Sequence, residues 1–424
     1  MTGKLKKQIL AVLTVITVTT VLVACNHNDE PDPVQEEDLR TVLVYIVADN
    51  NGLDSSPNYF ATNDIAEMLE GFMSVDADRN NLLVYVDNGN KPLLYQITKD
   101  SKGAVVKKVL HEYEEQNSVY PTVMAEVYNR VFSAFPAKSY GLVLWSHGDG
   151  WLPSPANISA SKASTRWFGQ DGTSYMDISS LNTALNSAPH FDFILFDACF
   201  MQSVEVAYEL KDRADYFIGA PNEIPGPGAY YTELVPAMFS QVNDLAATVA
   251  HGYYDYYAGK YTGQLGSNEN WTMGVTVSVL KSSEVQALAA ATAAILPKYI
   301  TNGSAINVSS IYSYDPRSTY YYYDLKGLVQ SLTSSDDQTL FSAWSDAFEL
   351  AVPLHLTTDK TYSALKDYNI GGMVSMLGSS GLSSYVPRSG TYSYDRYLYS
   401  YASLNTFYHS YAWYSAAGWS NTGW

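Results

Sequence analysis

The chain is short of cysteine, of positive charge and of long apolar runs, and each shortage removes a class of explanation. Only Cys25 and Cys199 occur among 424 residues, so at most one disulfide could form and a disulfide-stapled fold is excluded. Lys and Arg number 25 against 43 Asp and Glu, a net charge of −18. Such a surface suits neither nucleic acid nor anionic membrane and would attract cationic ligands, basic peptides among them. Beyond the first two dozen residues, no segment is long and apolar enough to span a bilayer. With 46% hydrophobic and 16% charged residues the chain is globular, and its length suits one large domain with insertions or two domains.

What is present begins at the N-terminus. Lys4, Lys6 and Lys7 precede an apolar run, Ile9 to Val23, that ends in Leu22-Val23-Ala24-Cys25. This is the pattern of a secretory signal and resembles a bacterial lipobox, which makes 1–24 a signal peptide and Cys25 the lipidated first residue. Its removal takes three lysines away and shifts the net charge to −21. Residues 25–39 are rich in Asp, Glu and Pro and suit an acidic flexible tether. An acidic stretch after the cysteine resembles the export signal of surface-displayed lipoproteins in some Gram-negative bacteria, so outer membrane or cell surface is the expected location. With Cys25 lipidated, Cys199 has no intramolecular partner; a lone thiol in an exported protein is either a small buried hydrophobe or a reactive group.

Phe191 to Met201 decides between these. Its first part is a short β-prone apolar run, the pattern of a strand buried in a parallel sheet, which breaks at Asp197, Ala198 and Cys199 before an amphipathic segment, Val204 to Lys211. A thiol at the carboxyl edge of a strand lies where α/β sheets place their chemistry, and nearby helix N-terminal amides would favour a thiolate. Upstream, a second buried-strand pattern, Tyr140 to Trp145, runs into Ser146, His147, Gly148, Asp149 and Gly150. Parallel neighbours would bring imidazole and thiol together, as a base-assisted cysteine nucleophile requires.

Strands are expected at Arg40 to Ala48, Leu82 to Val86 and Leu93 to Ile97, the last at an edge. Helices are expected over Asn63 to Met73, capped by Asn63 or Asp64, and over Pro121 to Phe135. This β-α-β rhythm implies a mostly parallel sheet with helices on both faces. Asp76, Asp78 and Asn80 imitate the start of an EF-hand, but Asn81 replaces the required glycine, so the run is a turn before a strand and no metal residue is assigned. Residues 151–177 suit an exposed loop or loose hairpin, with Asp171 as a loop residue and Asp177 as the cap of a helix over Ile178 to Asn186. A strand over Asp215 to Gly219 leads into a Pro/Gly-rich loop, Ala220 to Tyr231, in which Glu223 is a candidate pocket wall. Helices near Leu245 to Tyr257 and Ser283 to Leu296 flank a strand at Met273 to Ser278. Past Ser309 tyrosine dominates (Tyr312, Tyr314, Tyr320 to Tyr323, Tyr392, Tyr394, Tyr397, Tyr399, Tyr401), with helices over Asp324 to Leu332 and Asp337 to Ala351 and a strand over Gly381 to Val386. Such tyrosines suit an amphipathic packing layer better than a sugar-stacking platform.

These residues together resemble the clostripain family of cysteine peptidases, relatives of caspases and gingipains. The likeness runs from Val44-Tyr45-Ile46-Val47-Ala48-Asp49-Asn50-Asn51 through Trp145-Ser146-His147-Gly148 and Phe196-Asp197-Ala198-Cys199-Phe200-Met201. It continues to Pro225-Gly226-Pro227-Gly228 and Gly381-Leu382-Ser383-Ser384-Tyr385-Val386-Pro387. His147 and Cys199 are 52 residues apart, close to the spacing of about 50 in caspase-like enzymes. The resemblance implies a caspase-like α/β domain over 40–300 with a Tyr-rich C-terminal region, 301–424, packed on it. It implies His147 and Cys199 as a catalytic dyad, the backbone N–H groups of Gly148 and Cys199 as the oxyanion hole, and Asp197 as the S1 acid holding a P1 Arg or Lys. Family members are often activated by cutting themselves after a basic residue between the His and Cys strands, where Lys162 and Arg166 are the only Lys or Arg. Calcium dependence is common in the family, although the chemistry itself needs no cofactor. The expected protein is an exported, lipid-anchored cysteine endopeptidase acting on proteins or peptides with a basic P1 residue. Its rivals are a non-catalytic surface lipoprotein binding glycan or protein through an aromatic surface, and a transpeptidase on the same scaffold.

Overall fold

A computed structural model describes residues 38–50, 52–153, 166–265, 270–316, 321–333, 337–369, 371–389 and 401–424. The expected signal peptide, Cys25 and Lys162 lie outside the described residues. Chain order begins with strands β1 (Asp38–Val47), β2 (Asn80–Asp87), β3 (Leu93–Lys99), β4 (Val105–Glu112) and β5 (Ala137–Trp145), then β6 (Gly148–Pro153), β7 (Arg166–Asp171) and β8 (Ser174–Met176). It continues with β9 (Phe191–Asp197), β10 (Ala214–Gly219), β11 (Thr276–Lys281), β12 (Tyr323–Asp324), β13 (Leu354–Thr357), β14 (Lys360–Ser363), β15 (Gly372–Ser375) and β16 (Ser383–Ser384). The central sheet has nine strands in the order β13-β11-β10-β9-β5-β1-β2-β3-β4. The run from β10 to β2 is parallel, and an antiparallel pair extends it at each side. The expected mostly parallel α/β sheet is therefore present.

The parallel strands are apolar throughout because helices cover both faces. Along β1, Val42, Val44 and Ile46 join one core with Met68, Leu234, Val235 and Val249 of helices α1 (Phe60–Gly71), α5 (Tyr231–Met238) and α6 (Leu245–Lys260). Leu43, Tyr45 and Val47 point the other way, to Val127, Leu181 and Leu288 of α2 (Pro121–Ala134), α3 (Ile178–Leu185) and α7 (Ser282–Ala293), with α4 (Val204–Leu210) on the same face. The period of two along the strand thus assigns each residue to a layer.

Several expectations need correction. Leu93–Lys99 is not an edge strand, because β4 pairs beyond it; its exposed Lys107, Lys108 and Val109 gave no alternation to read. Neither Asn63 nor Asp64 caps α1: the helix starts earlier, and buried Asp64 accepts from the indole of Trp145 (Nε1 to Oδ2, 2.7 Å). The described parts of 151–177 are not a loose loop, since Trp151, Leu152 and Phe168 of the three-stranded ribbon β6-β7-β8 are buried in the core. Gly381 to Val386 pairs only over Ser383–Ser384, with β12. Asp177 caps α3 as expected, accepting from Ser180 N at 2.6 Å, whereas Asp171 is a buried strand-end residue. Asp76 and Asp78 form an exposed turn in which Asp78 N donates to Asp76 Oδ1 at 3.1 Å.

Glu37 to Trp424 forms one compact unit, and β1 starts within the expected tether, with Asp38 already paired to Ala137. The described C-terminal tyrosines largely form a packing layer. Tyr314, Tyr321, Tyr322, Tyr323, Tyr385, Tyr408 and Tyr411 are buried, and Trp151 packs against Tyr385 at 4.3 Å between ring centroids. Tyr320 and Tyr392 to Tyr399 lie outside the described residues.

Candidate active site

Strands β5 and β9 are parallel neighbours, with Trp145 opposite Asp197, so the turns carrying His147 and Cys199 leave the same sheet edge side by side. The two turns touch through backbone. A Cβ on Gly148 would lie 2.8 Å from the Cys199 carbonyl oxygen, and one on Gly150 would lie 2.4 Å from that of Phe200. Only glycine permits that approach, and Gly150 also has φ +52°. On the other turn Phe200, just after the thiol, has φ +61°, a left-handed conformation that a bulky residue adopts only when its surroundings hold it there. Its N–H donates to Asn222 O at 2.9 Å, and its ring stacks on Tyr322 at 4.6 Å. Tyr322 in turn donates to the backbone and side chain of Asp149, at 2.6 and 2.7 Å. Tyr322 was missed from sequence because it sits in a run of four tyrosines whose members look alike.

Cys199 and His147 are both partly buried. Desolvation pushes the thiol up to about 12, with the Glu223 carboxylate adding to it, and lowers the imidazole to about 4. These directions run against the expected thiolate stabilisation by helix amides. Helix α4 starts only at Val204, with Ser203 as its cap, too far along for its amides to offset burial and nearby acids. Among the described residues nothing hydrogen-bonds the His147 ring. Both shifts favour the neutral forms, S–H and imidazole.

The other candidates surround this pair. Asp197 is 1% exposed, and its carboxylate accepts from Ala229 N (3.0 Å), Tyr231 Oη (2.9 Å) and Tyr253 Oη (2.9 Å). Burial raises it to about 6, the three donors opposing that shift. Gly228, with φ +84°, passes so close that a Cβ would lie 2.8 Å from Asp197 Oδ2. Asp64 lies on the same side, and burial, with the Asp197 charge adding to it, raises its carboxyl well above the usual carboxylate range. The Glu223 carboxylate holds the end of β14, accepting from Ser363 Oγ and from Ala364 N. Arg166 opens β7, paired with Pro153 across the ribbon. The ribbon is tied to the His147 turn: Gly169 N donates to His147 O at 2.9 Å and Gln170 N to Ser146 Oγ at 3.2 Å.

Comparison with known proteins decides what this arrangement belongs to. The clostripain family model, peptidase family C11, matches residues 44–422. The chain belongs to the clostripain family of cysteine peptidases. Clostripain of Hathewaya histolytica is 26% identical over 226 residues, 46% of this chain and 41% of that protein, so the chain aligns with well under half of its relative. Among solved structures, a secreted C11 cysteine protease from Bacteroides thetaiotaomicron, in complex with an irreversible peptide inhibitor, is 47% identical. It superposes with a TM-score of 0.78 over 90% of this chain and 99% of that one. An inactive zymogen C11 protease from Parabacteroides distasonis is 30% identical, with a TM-score of 0.73 over 91% of this chain and 99% of the other. The clostripain-family fold is thus shared along nearly the whole described chain. Among the described residues no helix is long and apolar enough to cross a membrane.

Proposed function

We propose that the chain is a cysteine endopeptidase that hydrolyses peptide bonds after arginine and, less readily, lysine. The observation that carries this reading is the backbone contact of Gly148 with Cys199, which sets the imidazole-bearing and thiol-bearing turns against each other at one sheet edge. His147 accepts the thiol proton as Sγ of Cys199 attacks the scissile carbonyl. The N–H groups of Gly148 and Cys199 receive the oxyanion of the tetrahedral intermediate. The imidazolium then gives its proton to the leaving amine, and an acyl-enzyme remains. Water attacks it with His147 as base, releasing the acid and restoring the thiol. Starting from a neutral pair, substrate must supply the charge separation, which the oxyanion donors and exclusion of water favour. The dyad has no third member in this reading.

Asp197, with Asp64 beside it and the Glu223 loop as a pocket wall, makes the site acidic and suits a P1 guanidinium. The likeness to an inactive zymogen supports activation by self-cleavage in 151–177, at Lys162 or Arg166. Export and anchoring through Cys25 rest on the N-terminal pattern, and the secreted neighbour supports export. An arginine-based irreversible peptide probe tests the reading. It is expected to add one label per chain, mapped by mass spectrometry to Cys199. Labelling elsewhere, or equal labelling of Cys199→Ala, would refute it.

A further inference from the structure

All eight tryptophans lie among the described residues, and only one of them, Trp271, is exposed. Its side chain is 50% open to solvent, whereas the other seven are buried or partly buried. Its position explains why this matters. Gly226 N donates to Trp271 O at 2.8 Å, and the indole lies so close that a Cβ on Gly226 would be 2.5 Å from a ring carbon. Two residues further along the same turn, Gly228 N donates to Pro225 O at 2.9 Å, and Gly228 backs onto the carboxylate of Asp197. The 225–228 turn is therefore a thin slab of backbone, with the S1 acid against one glycine and the indole against the other. A side chain at either glycine would push these neighbours apart.

Helix α1 repeats the pairing. The indole meets Phe60 at 6.4 Å between ring centroids, with 45° between the planes. Phe60 opens α1, and Asp64, on the Asp197 side of the site, follows one helical turn later on the same face. Two separate elements thus set an aromatic surface beside the acids.

We propose that Trp271, with Phe60, forms the S2 subsite and binds a large apolar side chain at P2, the residue before the P1 arginine. The inference rests on the peptidase reading. Successive side chains of an extended peptide point to opposite sides. A substrate laid along the 225–228 turn that sends its guanidinium to Asp197 therefore turns its P2 side chain to the indole. The indole is a large, rigid apolar surface, so covering it favours Leu or Phe at P2 over Gly. The nearby carboxylates of Asp64 and Asp197 add repulsion against Asp there.

The experiment measures kcat and KM for fluorogenic peptides with Arg at P1 and Gly, Leu, Phe or Asp at P2. Wild type, Trp271→Ala and Trp271→Phe are compared, each shown to be folded by its melting curve. In wild type, kcat/KM with Leu or Phe is expected to exceed that with Gly at least tenfold, mainly through KM. The preference is expected to shrink to within about twofold in Trp271→Ala and to survive in Trp271→Phe. Hydrolysis of Arg peptides by wild type without a P2 preference would overturn the inference and leave the peptidase reading standing. So would an unchanged preference in Trp271→Ala, or an equal loss for every P2 residue, which would make Trp271 a prop for the turn. No hydrolysis of any Arg peptide by folded wild type would overturn both.

Discussion

Replacing Asp197 with Asn separates two jobs the residue could have. As the S1 acid it supplies charge to a P1 guanidinium; as a structural pin it holds Ala229, Tyr231 and Tyr253 by three hydrogen bonds. Asn is nearly isosteric, and its Oδ1 can still accept from two of the three donors. Removing one member of a buried charge pair costs about 2–5 kcal/mol, so kcat/KM for arginine substrates should fall about 30- to 3,000-fold. Stability should move much less, because two contributions oppose each other. Burial raises the carboxyl from 3.8 to about 6, so its stabilising effect is complete below 3.8 and lost as pH rises through 6; above that, ionisation costs about 3 kcal/mol. Asn removes that cost and gives back about 1–3 kcal/mol for a mismatched donor. The assay compares fluorogenic substrates with Arg, Lys and Gln at P1, between pH 5 and 8, with a melting curve for each protein. In wild type the Arg-to-Gln selectivity should climb as pH rises through 6, while in Asp197→Asn it should be low and flat. Equal losses for every P1 residue would refute the S1 role and leave Asp197 a structural pin.

Two further changes probe the frame of the site. Gly150→Ala places a methyl 2.4 Å from the Phe200 carbonyl at a left-handed backbone position, and should cost about 2–4 kcal/mol and at least tenfold in kcat/KM, read by melting and hydrolysis. Glu205 is fully buried and accepts from Tyr385 N (2.8 Å) and Ser384 Oγ (3.0 Å), and desolvation raises it from 4.5 to about 7. Its stabilising effect is therefore complete below 4.5 and lost as pH rises through 7, by about 3 kcal/mol, so Glu205→Gln should raise Tm at pH 8 and not at pH 4.5.

The central strands were legible because five parallel strands buried on both faces must be short, apolar and β-prone, as Val42 to Val47 and Phe193 to Phe196 are. The His147 and Cys199 turns were legible because both interrupt such runs at their carboxyl ends. What escaped depends on long-range contact. β4 carries exposed Lys107 and Lys108 and gains its identity only by pairing with β3. Trp151 and Phe168 sit in a polar stretch and are buried by Tyr385, Tyr411 and the sheet, which no local pattern announces. The thiolate expectation failed for a related reason. The strand end was recognised, but the depth of burial and the approach of Glu223 from a loop 24 residues later were not.

The central claim is that Cys199 is the nucleophile of an arginine-directed peptidase. Its most direct test incubates wild type and Cys199→Ala with calcium, then follows fluorogenic Arg, Lys and Asp peptides and the integrity of each chain on a denaturing gel. The expected result is hydrolysis of Arg peptides, slower turnover of Lys, none of Asp, and cleavage within 151–177, all in wild type alone. No turnover by folded wild type, or equal turnover by the alanine variant, would contradict it.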